Sequence, residues 1–245
     1  MDGGYDSHAA LAKRLNVSRP VISKAENAGQ PVPSDALLTA WAGHTGAPAD
    51  KLLQLAQRAR SGTPEWFMPF LVAEAEANVL RYWSPVLVPG VLQCEAYVRA
   101  VLSVESYTPE ELDELVAARL ERQAVIGRAH VTVVVDQHAI HRLIGTAAVM
   151  AEQCAHLLIM AERPRISLHV VPEGANVGLW GGFDLAASGG TTTVCLSALE
   201  DIPSTAEGLV GKALLAFERI LGAALPRSES LALIRTVEER WKAQI

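Results

Sequence analysis

Three side chains capable of acid–base or metal chemistry lie close together in sequence: Asp136, His138 and His141. They lie at the end of "HVTVVVD", a β-branched, apolar run that predicts a strand over residues 130–136, and in the helix expected after it. In α/β sheets, ligands bind beyond the carboxyl ends of strands, where these groups could bind a metal or carry a proton. The alternative is a helix cap at Asp136 with two surface histidines. Because no third firm ligand is visible, that alternative is favoured, and no metal or cofactor is expected.

A second group combines carboxylates, an arginine and aromatic side chains on either side of residue 90. Aromatic walls with a few convergent charges are typical of a small-molecule site. The same residues could instead form the edge of the core with solvated charges, and the Gly-rich "EGANVGLWGGFDL" is either a lid or a plain loop. The candidate pocket residues are Arg81, Tyr82, Trp83, Glu95, Tyr97, Trp180 and Asp184, and the candidate acid–base residues are Asp136, His138, Glu74 and Glu95.

A third group suits nucleic acid, because "NVSRPVISKAENAG" carries side chains that reach phosphates and base edges. The candidate DNA-binding residues are Lys13, Ser18, Arg19, Ser23, Lys24 and Asn27. Residues 1–60 contain two more basic than acidic residues, whereas the rest of the chain has a net charge of −8. A mildly basic head before an acidic body suits a regulator, and also suits many other proteins.

The 245-residue sequence lacks the signals of several classes of protein. No apolar stretch approaches the roughly 20 residues of a membrane span, and the N-terminus does not resemble a signal peptide. A cytoplasmic protein is therefore expected. Cys94, Cys154 and Cys195 are widely separated, which favours buried, inert thiols over a disulfide framework. No GxSxG, Walker or HExxH motif is present, and no Ser/His/Asp spacing singles out a triad.

The elements expected to position the DNA-binding group are four short helices. Ser7 caps the first helix, Asn16 makes the turn in a left-handed conformation, and Ser18 and Pro20 begin the second helix. Ser34 caps a third helix over residues 35–43, and a fourth runs over residues 48–60. Two helices joined by a three-residue turn are helix-turn-helix organisation, and this head is expected to occupy residues 1–62.

The remaining residues, 65–245, predict a mixed α/β domain. Helical spacing of apolar and aromatic residues runs from Glu65 to Trp83. Strands are predicted over residues 130–136 and 165–172, and a hairpin turns at Gly189-Gly190. The other helices are expected at 92–102, 109–126, 137–143, 146–162, 205–222 and 228–242. The fold class is mainly α with a mixed α/β C-terminal domain, in which helices surround a sheet of three to five strands.

"ALAKRLNVSRPVISKAENAG" resembles the bacterial Xre/Cro-type pattern "LA..LGVS...IS..E.G" over about fifty residues. The resemblance implies that Ser18, Arg19, Ser23 and Asn27 lie at the DNA groove. That family has one more helix upstream, and residues 1–6 are too few for it. Three explanations remain open: the start codon lies further upstream, another chain supplies the cover, or the DNA-binding role is lost.

The body is similar to the C-terminal domain of unknown function in actinobacterial regulators often called Scr1-type and antitoxin-like. The matching pieces include "RYWSPVLVPGVLQCEAYVRAVL", "VAARLERQAVI" and "ESLALIRTVEER". The resemblance implies a transcriptional regulator with a small acidic partner protein, and it implies no molecular activity for the domain itself.

Three functions follow as expectations. The first is a sequence-specific DNA-binding regulator, acting as a homodimer on a palindromic site, whose C-terminal domain senses a small molecule or a partner protein. The second is an enzyme or ligand-binding protein of specialised metabolism on the same scaffold. The third is an antitoxin-like interaction module. The first is ranked above the other two, and whether the chain is an enzyme stays open.

Overall fold

The computed structural model describes residues 7–26, 32–60, 67–178, 181–197 and 202–245. The chain divides into two compact units, Met1–Thr63 and Pro64–Ile245. Within the described residues, no helix is long and apolar enough to cross a membrane.

The first unit contains four helices: α1 (His8–Arg14), α2 (Arg19–Ala25), α3 (Asp35–Thr45) and α4 (Ala49–Arg60). The Ser7 hydroxyl accepts the Ala10 N–H, so it caps α1 as its residue type predicts. Asn16 has φ 54°, and this left-handed residue lets the chain turn between α1 and α2. α2 ends at Ala25, and residues 27–31 lie outside the described residues.

A small apolar core holds α1 against α2. Leu11, Ala12 and Ile22 are buried, and Ile22 has no exposed surface. Leu15, Val17 and Trp41 pack around them, so α3 closes the same cluster. The core therefore fixes the angle between the two helices of the turn.

The second unit alternates helices and strands. Its helices are α5 (Met68–Glu76), α6 (Glu95–Leu102), α7 (Pro109–Glu121), α8 (Gln137–His141), α9 (Ala147–Ala161), α10 (Glu207–Ala223) and α11 (Arg227–Lys242). Its strands are β1 (Val79–Ser84), β2 (His130–Asp136), β3 (Ile166–Val171), β4 (Phe183–Ser188), β5 (Thr191–Leu196) and β6 (Ile202–Ser204). Short 3-10 helices lie at Gly90–Leu92 and Arg122–Gly127.

The strands form one mixed sheet in the order β3-β2-β1-β4-β5-β6. β1, β2 and β3 are parallel, whereas β4, β5 and β6 pair antiparallel. Five strands have six or seven residues, and the edge strand β6 has three. The predicted class, mainly α with a mixed α/β C-terminal domain, is confirmed, as is the hairpin through Gly189 and Gly190. The sheet has six strands where three to five were expected, because residues 79–84 form a strand and the three residues of β6 add a short edge strand.

The helical prediction for Glu65–Trp83 is wrong over its second half. α5 ends at Glu76, and β1 begins at Val79 as a central strand of the sheet. Leu80, Tyr82 and Trp83 are all buried because both faces of β1 are covered. A strand buried on both faces has an apolar run without alternation, and such a run also fits helical spacing.

Helices cover both faces of this sheet. One face packs Leu80, Val133 and Leu168 against α9 and α11, whose buried residues include Leu157 and Ile234. The other face packs Trp83, Val134 and Phe183 against Phe217 and Ile220 of α10. Successive residues of β1 therefore lie in different cores, and this determines which predicted site residues can meet.

Candidate functional site

The basic and polar side chains of the first unit lie on its surface. Lys13 is in the last turn of α1, Arg19 is the first residue of α2, and Lys24 is in the last turn of α2. All three are exposed, and none pairs with a carboxylate among the described residues. Ser18 is exposed at the N-cap of α2, and Ser23 is half-buried. Asn27 lies outside the described residues.

A polar contact ties the two helices together on the outside of this unit. His8 Nε2, at the start of α1, lies 2.6 Å from Glu26 Oε2, just after α2. The apolar core on one side and this pair on the other give α2 two anchors. Arg19 and Lys24 are thus presented from a helix with a defined position, as contact with a regular duplex requires.

The second unit contains a buried polar cluster, built from Glu74, Tyr82 and Arg122. Glu74 is only 1% exposed, although it carries a carboxylate. The Tyr82 hydroxyl donates to Glu74 Oε1 at 2.7 Å, and Arg122 Nη2 donates to the same atom at 2.8 Å. Arg122 Nε also donates to Glu74 Oε2. The Arg122 guanidinium lies 5.0 Å from the centroid of the Phe67 ring.

The electrostatics of this cluster favour fixed protonation states. Burial and the neighbouring Glu74 carboxylate raise the pKa of the Tyr82 phenol well above its ordinary value. Burial lowers the pKa of Arg122, but attraction to Glu74 outweighs it, and the net direction is upward. A neutral phenol and a permanent cation saturate the Glu74 carboxylate, so this cluster serves structure better than proton transfer.

Arg122 is the member of the cluster that sequence reasoning missed. The charges of "EELDELVAARLERQ" at i,i+4 spacing favour a solvated helix face, yet Arg122 begins a 3-10 helix that turns it towards Glu74. A carboxylate that is buried requires a cation or several hydrogen-bond donors nearby, and this requirement is the one signal in the sequence that could have pointed to a partner for Glu74. It does not identify which arginine supplies the charge.

The structure does not bring together those residues of the predicted pocket that it describes. Tyr82 and Trp83 are consecutive in β1, so they lie in the two different cores on opposite faces of the sheet. Arg81 shares the Trp83 face, with its guanidinium 6.0 Å from the Phe217 ring centroid. Asp184 pairs with Tyr82 across β1 and β4 and therefore shares the Tyr82 face. Trp180 lies outside the described residues.

Glu95 and Tyr97 also separate. The Glu95 side chain is 62% exposed and pairs with Arg99 at 3.5 Å along α6. Tyr97 has no exposed surface, and its hydroxyl oxygen accepts the Val88 N–H at 3.4 Å. Burial raises the pKa of Tyr97 to about 12. The interpretation of an aromatic core edge with solvated charges therefore describes these residues better than a pocket.

At the carboxyl end of β2, Asp136 caps α8. Its Oδ1 accepts the His138 N–H at 2.9 Å and lies 2.6 Å from His138 Nδ1. The His138 side chain is 74% exposed. His141 makes no hydrogen bond to either residue, and burial, with Arg240 and His138 nearby, lowers its pKa. A helix cap with a surface histidine accounts for Asp136 and His138, and no group of three metal-ligand side chains occurs among the described residues.

Comparison with known protein families gives a match. The model of the family described as "Domain of unknown function (DUF5753)" matches residues 67–236, which is more than two thirds of the chain. No curated protein and no solved structure was found to match. The matched segment lies in the second unit, and the head is outside it.

Proposed function

The chain belongs to the DUF5753 family, and we propose that it is a sequence-specific DNA-binding transcriptional regulator whose head reads DNA. The observation that carries the proposal is the geometry of α1, Asn16 and α2. Two short helices joined by a four-residue connection, residues 15–18, pack through Ile22 and expose Arg19 and Lys24. Helix-turn-helix proteins place the second helix of such a pair in the major groove.

The side chains would divide into two roles. Lys13, Arg19 and Lys24 would contact phosphates, which supply affinity without sequence information. Ser18, Ser23 and Asn27 would approach base edges, where hydroxyl and amide groups discriminate between base pairs. A homodimer would place two such helices one helical turn apart on a palindromic site, as in the Xre-type regulators that the sequence resembles.

The second unit would act as the sensor of this cytoplasmic regulator. A domain with its own cores and a sheet covered on both faces can bind an effector or a small acidic partner protein while the head binds DNA. No described contact favours catalysis over sensing, since Glu74 is saturated and Glu95 is solvated. The proposal therefore assigns regulation, not turnover, to this chain.

The test is fluorescence anisotropy of the full chain on its own upstream DNA and on a scrambled duplex, titrated with salt. Tighter binding to the upstream DNA is expected, with affinity falling steeply as salt rises. Arg19→Ala should reduce the salt slope by about one and weaken binding on both duplexes. Lys51→Ala, which removes an exposed charge from α4, is the matched control and should change little. Equal binding to both duplexes would refute the proposal.

A further inference from the structure

A cavity of about 380 Å³ lies in the second unit, at the amino ends of β2 and β3. The segment between α9 and β3 and the first residue of α11 complete its wall. This is the end of the sheet opposite Asp136, so the cavity is separate from the sites considered above. The polar residues that line it are His130, Thr132, Arg163, Arg165, Ser167 and Arg227, together with Glu162.

Two of the arginines are held in place by the backbone. Arg165 Nη1 donates to the Arg128 carbonyl, and Arg227 Nη2 donates to the Ala161 carbonyl. A guanidinium has five N–H donors in a rigid plane, so one bond to a carbonyl orients the group and leaves donors for another acceptor. Both side chains are thus positioned before any ligand arrives, which lowers the entropy cost of binding.

The charge of the cavity contrasts with that of the chain around it. The lining residues include three arginines and a single carboxylate residue, Glu162, while residues 61–245 carry a net charge of −8. No carboxylate of the described residues forms an ion pair with Arg163, Arg165 or Arg227. The positive charge of Arg163 also affects a neighbouring histidine. Burial is the main cause that lowers the pKa of His156, and repulsion from Arg163 lowers it further.

The sheet adds hydroxyl groups next to these cations. Thr132 and Ser167 are paired across β2 and β3, so their side chains lie side by side on one face. The Ser167 hydroxyl lies 2.8 Å from His169 Nε2 and still has capacity for a second hydrogen bond. Arg81 of β1 is the next residue in the same row. Arginine guanidinium groups with neighbouring hydroxyl groups are commonly used by proteins to bind phosphate.

A purely structural role explains these arginines only in part. Arg165 and Arg227 could serve to satisfy the Arg128 and Ala161 carbonyls, the second of which lies in the last turn of α9. Arg163 has no such role, since its side chain makes no hydrogen bond within the described residues. Capping of backbone carbonyls therefore explains Arg165 and Arg227 but not Arg163, and the presence of Arg163 in the same wall favours a binding site.

We propose that this cavity binds the phosphate group of a phosphorylated small molecule. A volume of about 380 Å³ lies at the lower end of the range for small-molecule sites, which suits a sugar phosphate or a mononucleotide. Arg163, Arg165 and Arg227 supply the bidentate donors that match a phosphate. The cavity would give the second unit an effector of defined chemistry, and its binding does not depend on whether the head reads DNA.

Isothermal titration calorimetry of the full chain at constant ionic strength tests this site. The probes are inorganic phosphate, ribose 5-phosphate and adenosine 5′-monophosphate, with citrate as an anion that lacks phosphate. We expect at least one phosphorylated probe to bind one to one and more tightly than citrate. Arg163→Gln should weaken that binding about tenfold or more, the usual effect of losing a charged hydrogen bond.

Three variants keep the result specific. Arg235→Gln removes an exposed arginine from α11 outside the cavity and should leave the Kd within about twofold. Arg163→Lys, which retains charge but loses the fork, should bind with intermediate affinity. Arg19→Ala should bind phosphate normally, so loss of DNA binding and loss of phosphate binding stay distinguishable. Absence of binding by all three phosphorylated probes, equal binding of citrate, or equal losses in Arg163→Gln and Arg235→Gln would overturn the proposal.

Discussion

At the residue scale, Glu74 shows how a buried charge is accommodated. A carboxylate that is 1% exposed has lost nearly all its hydration, and that loss is compensated only by well-aligned donors. Arg122 and Tyr82 provide those donors on both carboxylate oxygens. The sequence made Glu74 a candidate acid–base group, whereas in the structure both of its carboxylate oxygens already accept hydrogen bonds from neighbouring side chains.

We expect Glu74→Gln to lower the free energy of unfolding by about 3 kcal/mol, because the half-buried Arg122 would lose its counter-charge. The change in the urea midpoint measures this effect. Glu76→Gln, two residues away on the exposed side of α5, is the matched control and should change the free energy of unfolding by less than about 0.5 kcal/mol.

A double variant separates pairing from packing. Glu74→Gln combined with Arg122→Met removes both charges, and it should recover part of the lost stability because no unpaired cation remains. If Glu74→Gln unfolds at the wild-type urea concentration, the pair does not stabilise the fold. Glu74 would then have to be reconsidered as a functional residue.

The cysteines illustrate what composition alone does predict. Their wide spacing predicted buried thiols, and Cys94, Cys154 and Cys195 are all buried. Burial raises the pKa of Cys154 to about 12, so its thiol stays protonated at neutral pH and is a poor nucleophile. A spacing argument suffices here because burial of a small apolar thiol needs no specific partner.

At the element scale, boundaries set by local chemistry were predictable and boundaries set by packing were not. The cap at Ser7, the turn at Asn16 and the Gly189-Gly190 hairpin depend on a few neighbouring residues. The nature of residues 79–83 depends on β2 and β4, which pair with β1 from distant parts of the chain. Helical spacing therefore misassigned β1, and the pocket predicted along it did not assemble.

A close approach between elements makes Gly145 a sensitive position. It joins α8 to α9 with φ +67°, and a Cβ there would lie 2.9 Å from Ala100 Cβ of α6. We expect Gly145→Ala to cost about 2–3 kcal/mol, from left-handed strain and from the clash together. Urea denaturation of the full chain measures the loss.

The matched variant is Gly174→Ala, where φ is +86° but a Cβ would meet nothing within 4 Å. It should show the backbone strain alone, about 1 kcal/mol. The difference between the two variants reports the contact of the α8–α9 connection with α6. Equal losses would show that this connection moves away from α6 at no cost.

At the scale of the whole molecule, the two units have separate cores and opposite charge. The core of the head is formed within residues 11–41, whereas both cores of the body are formed after residue 67. The side chains proposed to contact DNA and the acidic body therefore belong to different units. That division was visible in the charge pattern, but the arginine-lined cavity of the body was not. Arg163 and Arg227 lie 64 positions apart and meet only through α9, β3 and α11.

Separate cores predict separate unfolding. Ile22→Ser places a hydroxyl in a core of three buried residues and should destabilise the head by about 3 kcal/mol or more, enough to unfold so small a unit. DNA binding should be lost, while phosphate binding and the main unfolding transition of the body stay unchanged.

Val21→Ser, at the 37% exposed neighbour, should leave DNA binding and the head intact. Circular dichroism during urea titration, followed by calorimetry with ribose 5-phosphate, makes the comparison. If Ile22→Ser shifts the main transition and Val21→Ser does not, the two units unfold as one. An effector that stabilises the body would then also change the affinity of the head for DNA.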